Sequence, residues 1–344
     1  MVVSDASDSR LVDLTRWVLE DLGFAGSMIA RASVDASFRR YFRVTQDAET
    51  YIVMDAPPDK EDSRPFLKVA RMLAGMNLNV PIVLARDMDR GFLLLSDLGS
   101  RQYLDELPLG GAAERLYADA LEALRTMQTA DASISRDLPR YDRALLMREM
   151  ELMPEWFLRH HLGLTIEAQE RSMLDTLFES LARAAASQPA TFVHRDYHSR
   201  NLLVTAEDNP GILDFQDAVW GPITYDVASL LKDCYISWPT ERVREWVLEY
   251  REKLLESGYP LSSDSAGFMR WFDLIGLQRH IKVLGIFARL FYRDGKPQYL
   301  NDLPRVLDYA RDTASNYAET AAFGDFIAKR IDPLFADAQR RALA

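Results

Sequence analysis

Cysteine occurs once in this 344-residue chain, at Cys234, so neither an intrachain disulfide nor a thiolate-rich metal site can form. Histidine is scarce as well. There are five, no H-E-x-x-H spacing occurs, and the adjacent His160 and His161 face different ways on a helix. Long apolar runs are missing: Val80–Ala85 and Val283–Ala288 fall far short of the roughly 18–20 residues that span a bilayer. The opening residues, Met1 to Asp8, lack a basic segment followed by an apolar one, so we expect no signal peptide and a soluble, cytoplasmic protein. Only seven of the basic residues are lysines, a bias that genomic base composition explains better than function.

Positive charge is in deficit, with 41 Lys and Arg against 52 Asp and Glu, a formal charge of −11. Phosphate backbones and anionic membranes want a basic surface, so neither nucleic acid nor membrane is an expected partner. A local basic pocket for one small anion remains compatible with that charge. Several nucleotide and hydrolase signatures are absent too. No G-x-x-x-x-G-K-[ST] occurs, Gly295-Lys296 is followed by Pro297, and no G-x-G-x-x-G or G-x-S-x-G is found.

What is present divides by texture. Arg10–Leu22 carries a helical stripe of Leu11, Leu14, Val18 and Leu22. Ser37–Val44 and Tyr51–Met54 are short aromatic and β-branched runs around the polar Gln46-Asp47-Ala48-Glu49, which predicts an antiparallel hairpin. Pro65–Met76 reads as a helix with Pro in its first turn, and Val80–Leu84 and Gly91–Leu95 as two further strands. Beyond Asp97-Leu98-Gly99 the apolar spacing becomes helical, over Ala112–Ala130, Arg143–His161, Ile166–Ala186, Glu241–Ser257 and Phe268–Tyr292. Three short strand-like runs, Thr191–Val193, Asn201–Val204 and Gly211–Leu213, interrupt the helices. We therefore expect an α+β fold of two lobes: residues 1–98, small, β-rich and nucleotide-binding, and residues 99–344, larger, helical and catalytic, with a hinge at about 95–99.

His194-Arg195-Asp196-Tyr197-His198-Ser199-Arg200-Asn201 fits H-R-D-x-x-x-x-N, the catalytic loop of kinase-type phosphoryl transfer. One carboxylate, Asp196, would orient and deprotonate an attacking hydroxyl. Five residues on, the neutral amide of Asn201 would help to hold Mg²⁺. Leu213-Asp214-Phe215 follows where that scheme places its charged Mg²⁺ ligand, and a hard dication wants such oxygen donors together with nucleotide phosphates. Each acid alone would serve equally as a turn or cap residue. The three at these spacings favour chemistry.

These residues resemble the aminoglycoside-phosphotransferase-like small-molecule kinases, whose loop is H-x-D-x-x-x-x-N followed by a short strand ending in I/L-D. Trp220-Gly221-Pro222-Ile223-Thr224-Tyr225-Asp226-Val227-Ala228 is similar to the segment that follows the metal Asp in that family. The resemblance implies a two-lobed protein-kinase-like fold, ATP and Mg²⁺ as cofactors, Asp196 as base, and Asn201 and Asp214 as metal ligands. It also implies a hinge over Leu94–Gly99 that reads adenine through its backbone (Ser96, Asp97, Leu98), and a loop over the phosphates at Ser37 and Phe38. Asp226 would be structural. Asp35–Arg43, Val53–Pro58 and Gly276–Arg289 resemble the bacterial anomeric kinases of N-acetylated amino sugars, which make a sugar 1-phosphate during cell-wall recycling.

Two matters stay open on the residues themselves. The strand lysine of the kinase scheme has no counterpart: its slot falls at Met54, and no acid lies in the helix Pro65–Met76 to pair with it. Arg43 is our candidate substitute on the phosphates, an exposed strand charge being the equal alternative. On the acceptor side, His198, Gln216, Asp217 and Trp220 adjoin the catalytic elements. Trp220 suits the apolar face of a sugar, or simply a core. Arg279 and Lys282 share a helix face and suit a sugar carboxylate such as the lactyl group of N-acetylmuramate, unless that face is merely solvated. His194 and His280 are read as structural. A kinase of another small alcohol or an aminoglycoside, and a pseudokinase-like nucleotide-binding module, are the alternatives. Asp214-Phe215-Gln216 in place of D-F-G disfavours a protein kinase.

Overall fold

The computed structural model describes residues 8–34, 38–109, 111–135, 137–261 and 264–343. Its contacts divide the chain into two compact units, Met1–Arg101 with Leu203–Asp217, and Gln102–Leu202 with Ala218–Ala344.

In the first unit, helix α1 (Ser9–Arg16) is capped by Asp8, whose carboxylate accepts the Leu11 N–H at 3.1 Å. Five antiparallel strands follow: β1 (Met28–Val34), β2 (Arg40–Gln46), β3 (Glu49–Asp55), β4 (Val83–Asp87) and β5 (Phe92–Ser96), in the order β1-β2-β3-β5-β4. The expected hairpin is β2–β3, in register from Arg40↔Asp55 to Gln46↔Glu49, and Asp47 turns it with φ 53°. One sheet face (Ile29, Phe42, Val44, Val53, Phe92, Leu94) packs on Leu11, Leu14, Trp17 and Val18. Asp55, fully buried at the end of β3, accepts from Arg10 Nε at 3.0 Å and Arg40 Nε at 2.9 Å, tying α1 to the sheet. β1 is not announced by its composition: Met-Ile-Ala-Arg-Ala-Ser-Val alternates poorly, and pairing with β2 holds it at the sheet edge.

Helix α2 (Arg64–Gly75) buries Phe66, Leu67, Val69, Ala70 and Leu73. The segment 203–217, which lies within 99–344 along the chain, clusters with this unit. Its contacts give the reason. Ile212 N–H donates to Asn79 O at 2.8 Å, Val204 N–H to Arg101 O at 2.8 Å, and the Phe66 and Phe215 rings lie 5.0 Å apart.

The second unit is mainly helical: α3 (Ala113–Thr129), α4 (Arg143–Met150), α5 (Ala168–Ala186), α6 (Tyr225–Leu231), α7 (Thr240–Glu256), α8 (Ser265–Tyr292) and α9 (Leu303–Asn316). Its strands β6 (Ala190–Val193) and β9 (Val219–Pro222) pair antiparallel; β7 (Leu202–Leu203) pairs with β8 (Gly211–Ile212), which lies in the segment 203–217 grouped with the first unit. The single helix expected over Arg143–His161 is divided. After Met150 the chain re-forms as wider turns over Met153–His161, with Pro154, which has no N–H to donate, in the first turn. α8 runs through the core, and every residue from Leu274 to Gly285 is buried. Among the described residues no helix is long and apolar enough to cross a membrane.

Candidate active site

In the first unit the segment expected to form the hinge follows β5. Ser96 pairs with Ile82 through both its N–H (2.9 Å) and its Oγ, which accepts the Ile82 N–H at 2.8 Å. Asp97 accepts from Arg43 Nε at 2.6 Å and from Gly99 N–H at 2.9 Å, and Arg43 also reaches Gly99 O at 3.0 Å. Burial works to raise the Asp97 pKa, and the Arg43 hydrogen bond brings it below the ordinary range. Arg43, our candidate for phosphate contact, thus gives its forked donors to the hinge. Leu98 packs over Gly211, where an added Cβ would sit 3.1 Å from Leu98 Cδ1. Three residues beyond Gly211, Asp214 takes φ 61° and its Oδ1 accepts from Gln216 Nε2 at 2.7 Å. Gln216 therefore fixes the carboxylate expected to hold metal. Asp217 is exposed.

Ser37 lies outside the described residues, and Phe38 is exposed. Met54, in the strand-lysine slot, is fully buried. Sequence reasoning missed the ion pair nearest to that slot's chemistry: Arg39, itself buried, meets Glu61 at 3.1 Å just ahead of α2. The kinase scheme points to a lysine on a strand and an acid inside the helix, and this pair is neither.

The segment 194–201, which carries the kinase-like motif, joins β6 to β7. Asp226 of α6, fully buried, accepts the N–H groups of His194 at 2.6 Å and Arg195 at 3.0 Å. That clamp holds Arg195 in a left-handed conformation, φ 78°, which side-chain-bearing residues adopt at a cost. Burial pushes the Asp226 pKa up to about 7 despite both donors. His194 Nδ1 accepts the Asp196 N–H at 3.3 Å, a supporting role. Asn201 Nδ2 donates to Asp196 O at 2.9 Å, which commits its nitrogen to the loop and leaves Oδ1 as the acceptor of the amide. Asp233, missed in the sequence, accepts the N–H groups of Ser199 and Tyr235, both at 2.9 Å.

The Asp196 carboxylate differs from its acidic neighbours. It accepts no hydrogen bond from any described residue, whereas Asp226 and Asp233 each take two backbone donors. Burial works to raise its pKa, but Lys282, Arg279, His198 and Arg195 outweigh this and hold it at about 2. It is ionised at neutral pH. His198 is buried, its N–H on Asp196 O at 3.1 Å and its ring edge-on to Tyr235 at 5.3 Å. Desolvation lowers its pKa, so it is neutral there.

Arg279 and Lys282 are not on a solvated face; they are only 2% and 5% exposed. Their neighbours differ. Lys282 Nζ lies 3.1 Å from Glu149 Oε1 and 3.2 Å from the Tyr225 hydroxyl. The Arg279 guanidinium makes no hydrogen bond or ion pair with any described residue, and its Nε is enclosed without a partner. Glu149 on α4, a buried acid the motif search missed, also pairs with Arg195 and accepts from the Tyr141 hydroxyl. Trp220 is half-buried in β9, its backbone bonded to Pro139 and Tyr141.

Residues 29–261 match the profile of the phosphotransferase enzyme family. The N-acetylmuramate/N-acetylglucosamine kinase of Pseudomonas aeruginosa is 49% identical over 297 residues, covering 86% of this chain and 87% of that one. The kinase of the same name from Pseudomonas putida is 44% identical over 94% of this chain and 97% of its own. Among solved structures, the ternary complex of streptomycin, ATP and APH(2'')-IIa superposes with a TM-score of 0.60 at 17% identity, covering 93% of this chain and 99% of that one. That distant likeness bears on the fold, and the sequence relatives carry the kinship: this chain belongs to the phosphotransferase enzyme family.

Proposed function

We propose that the protein transfers the γ-phosphoryl group of ATP to the anomeric hydroxyl of N-acetylmuramate or N-acetylglucosamine, giving the sugar 1-phosphate. The substrates are those named for the relatives, and the reading places the reaction in the cytoplasm, in the re-use of cell-wall sugars. The observation that carries it is Asp196, an ionised carboxylate with no internal donor, beside the unpartnered Arg279. The carboxylate takes a hydroxyl hydrogen bond from the acceptor and orients its oxygen for in-line attack, receiving the proton late. Ionised at neutral pH, the carboxylate can accept a hydrogen bond from the acceptor hydroxyl. The hemiacetal hydroxyl at C1 is the most acidic on such a sugar. Buried cations at the same place disfavour a polycationic aminoglycoside, because like charges repel in a poorly solvated site.

The donor set fits Mg²⁺. The amide oxygen of Asn201 and the Asp214 carboxylate are hard oxygen ligands, and they flank the paired strands β7 and β8 in the chain. Among the described residues no cluster of three His, Cys, Asp or Glu side chains is found, so phosphate oxygens would complete the shell. When bound, the ion offsets charge on the transferred group. Ser96–Leu98 would read the base through the backbone, and Arg39, set by Glu61, is the nearest buried cation to the displaced lysine slot. On the sugar, His198 and Trp220 are the proposed neutral contacts and Arg279 the charged one. Gln216 acts by holding Asp214, with Asp217 at the exposed rim.

The test is sugar-stimulated ADP release, with ³¹P NMR to identify the phosphorylated carbon. Asp196→Asn should lower kcat by about 10³-fold or more while ATP still binds. Wild-type turnover by that variant, or no stimulation by either sugar, would overturn the reading.

A further inference from the structure

Three cations act on Asp196, and the structure treats them unequally. Arg195 precedes it in the chain, and Lys282 and Arg279 reach it from α8. The charge of Lys282 helps to lower the Asp196 pKa, yet no ion pair within 4.0 Å joins the two side chains. What Lys282 touches instead is Glu149, 6% exposed on α4, which gathers Lys282 and Arg195 on its Oε1 and the Tyr141 hydroxyl on its Oε2. The Tyr225 hydroxyl, 3.2 Å from Lys282 Nζ, holds the ammonium from another side. Two of the three cations thus pair with one acid, which lies 46 and 47 residues before Arg195 and Asp196 in the chain and offsets one of their two charges.

We infer that Glu149 is a positioning residue that holds Lys282 and Arg195 away from the Asp196 carboxylate, so that the base meets the acceptor hydroxyl unpaired. An ammonium paired directly with Asp196 would occupy the lone pairs that must receive the sugar hydroxyl, and a charge-assisted bond of that kind is roughly twice as strong as a neutral one. Besides Glu149, the acid whose charge acts on Lys282 is the base itself. Glu149 touches neither substrate nor nucleotide in this account, which rests on the kinase reading above.

The predicted signature is sign-reversed coupling between two substitutions. Glu149→Gln should lower kcat with the amino sugar at least thirtyfold while both substrate KM values change less than threefold. Adding Lys282→Met to that variant should raise kcat again at least tenfold, because the cation freed by the first change is then gone. A merely structural Glu149 gives the opposite: a second core substitution leaves kcat equal or lower. Should Glu149→Gln fail to fold, the double variant, which removes one charge of each sign, carries the test alone. A folded double variant with kcat within thirtyfold of wild type supports the inference, and a larger loss overturns it. No turnover by the wild-type protein would sink the kinase reading and this inference together. Wild-type turnover with an undiminished Glu149→Gln kcat sinks the inference alone.

Discussion

At the residue scale, the motif reading and the structure part company over charge. Asp196, Asn201 and Asp214, the proposed base and metal ligands, stand out in the sequence because a kinase motif fixes their spacing along the chain. Glu149 and Asp233 carry no such spacing, since they reach the loop only through tertiary packing, and nothing in Met-Arg-Glu-Met distinguishes a buried acid from a solvated one. Burial is likewise invisible for the basic pair on α8: Arg279 and Lys282 at i, i+3 suit either a ligand or a wet face, and the solvated alternative falls only because the helix is buried there. Of that pair only Arg279 makes no hydrogen bond or ion pair with a described residue, which is why it is the one proposed to meet a sugar carboxylate. A chemical cycle tests this, comparing wild type with Arg279→Met on N-acetylmuramate and on its methyl amide, which lacks the charge. The two changes should be coupled by about 1–2 kcal/mol in kcat/KM, the worth of one charge-assisted bond. Independent effects would remove Arg279 from carboxylate recognition.

At the element scale, period-2 and period-3.6 patterns located β2, β3, β5 and most long helices to within a few residues. The failures have physical causes. β1 is poor in β-branched residues and is held by its neighbour, and the break after Met150 reflects Pro154 and the close passage of another helix. At that passage α8 presents Gly285, where an added Cβ would lie 2.3 Å from the Leu152 carbonyl carbon and 2.5 Å from the Met153 nitrogen. Backbone cannot give way as a side-chain tip can. Gly285→Ala should therefore destabilise by about 1–3 kcal/mol or more, read as a lower urea midpoint with an unchanged m-value. An alanine variant as stable as wild type would mean that the two helices are not so closely apposed in solution.

At the scale of the whole molecule, stability should follow the buried acids in opposite directions. Burial raises the pKa of Glu149 and Asp196, but the cations beside them bring both below their ordinary values, to about 2 for Asp196. An acid of this kind binds fewer protons folded than unfolded, so its contribution is complete above about pH 4 and is withdrawn as pH falls towards 2. Asp226, pushed up to about 7 by burial, has the reverse sign: its contribution is complete below its ordinary range and declines as pH rises through 7. Urea midpoints measured from pH 3 to pH 9 should show a shallower acid-side fall in Asp196→Asn and a smaller loss between about pH 4 and pH 7 in Asp226→Asn. Parallel profiles for all three proteins would contradict the assignment. The chain path has a separate consequence for anyone dissecting the protein. Because 203–217 belongs with 1–101, a fragment cut after Arg101 would keep Phe66 and Asn79 but lose Phe215 and Ile212, their packing and hydrogen-bonding mates. Neither unit is a continuous stretch of polypeptide, so isolating one whole would require splicing or circular permutation, and a simple truncation would leave raw apolar surface.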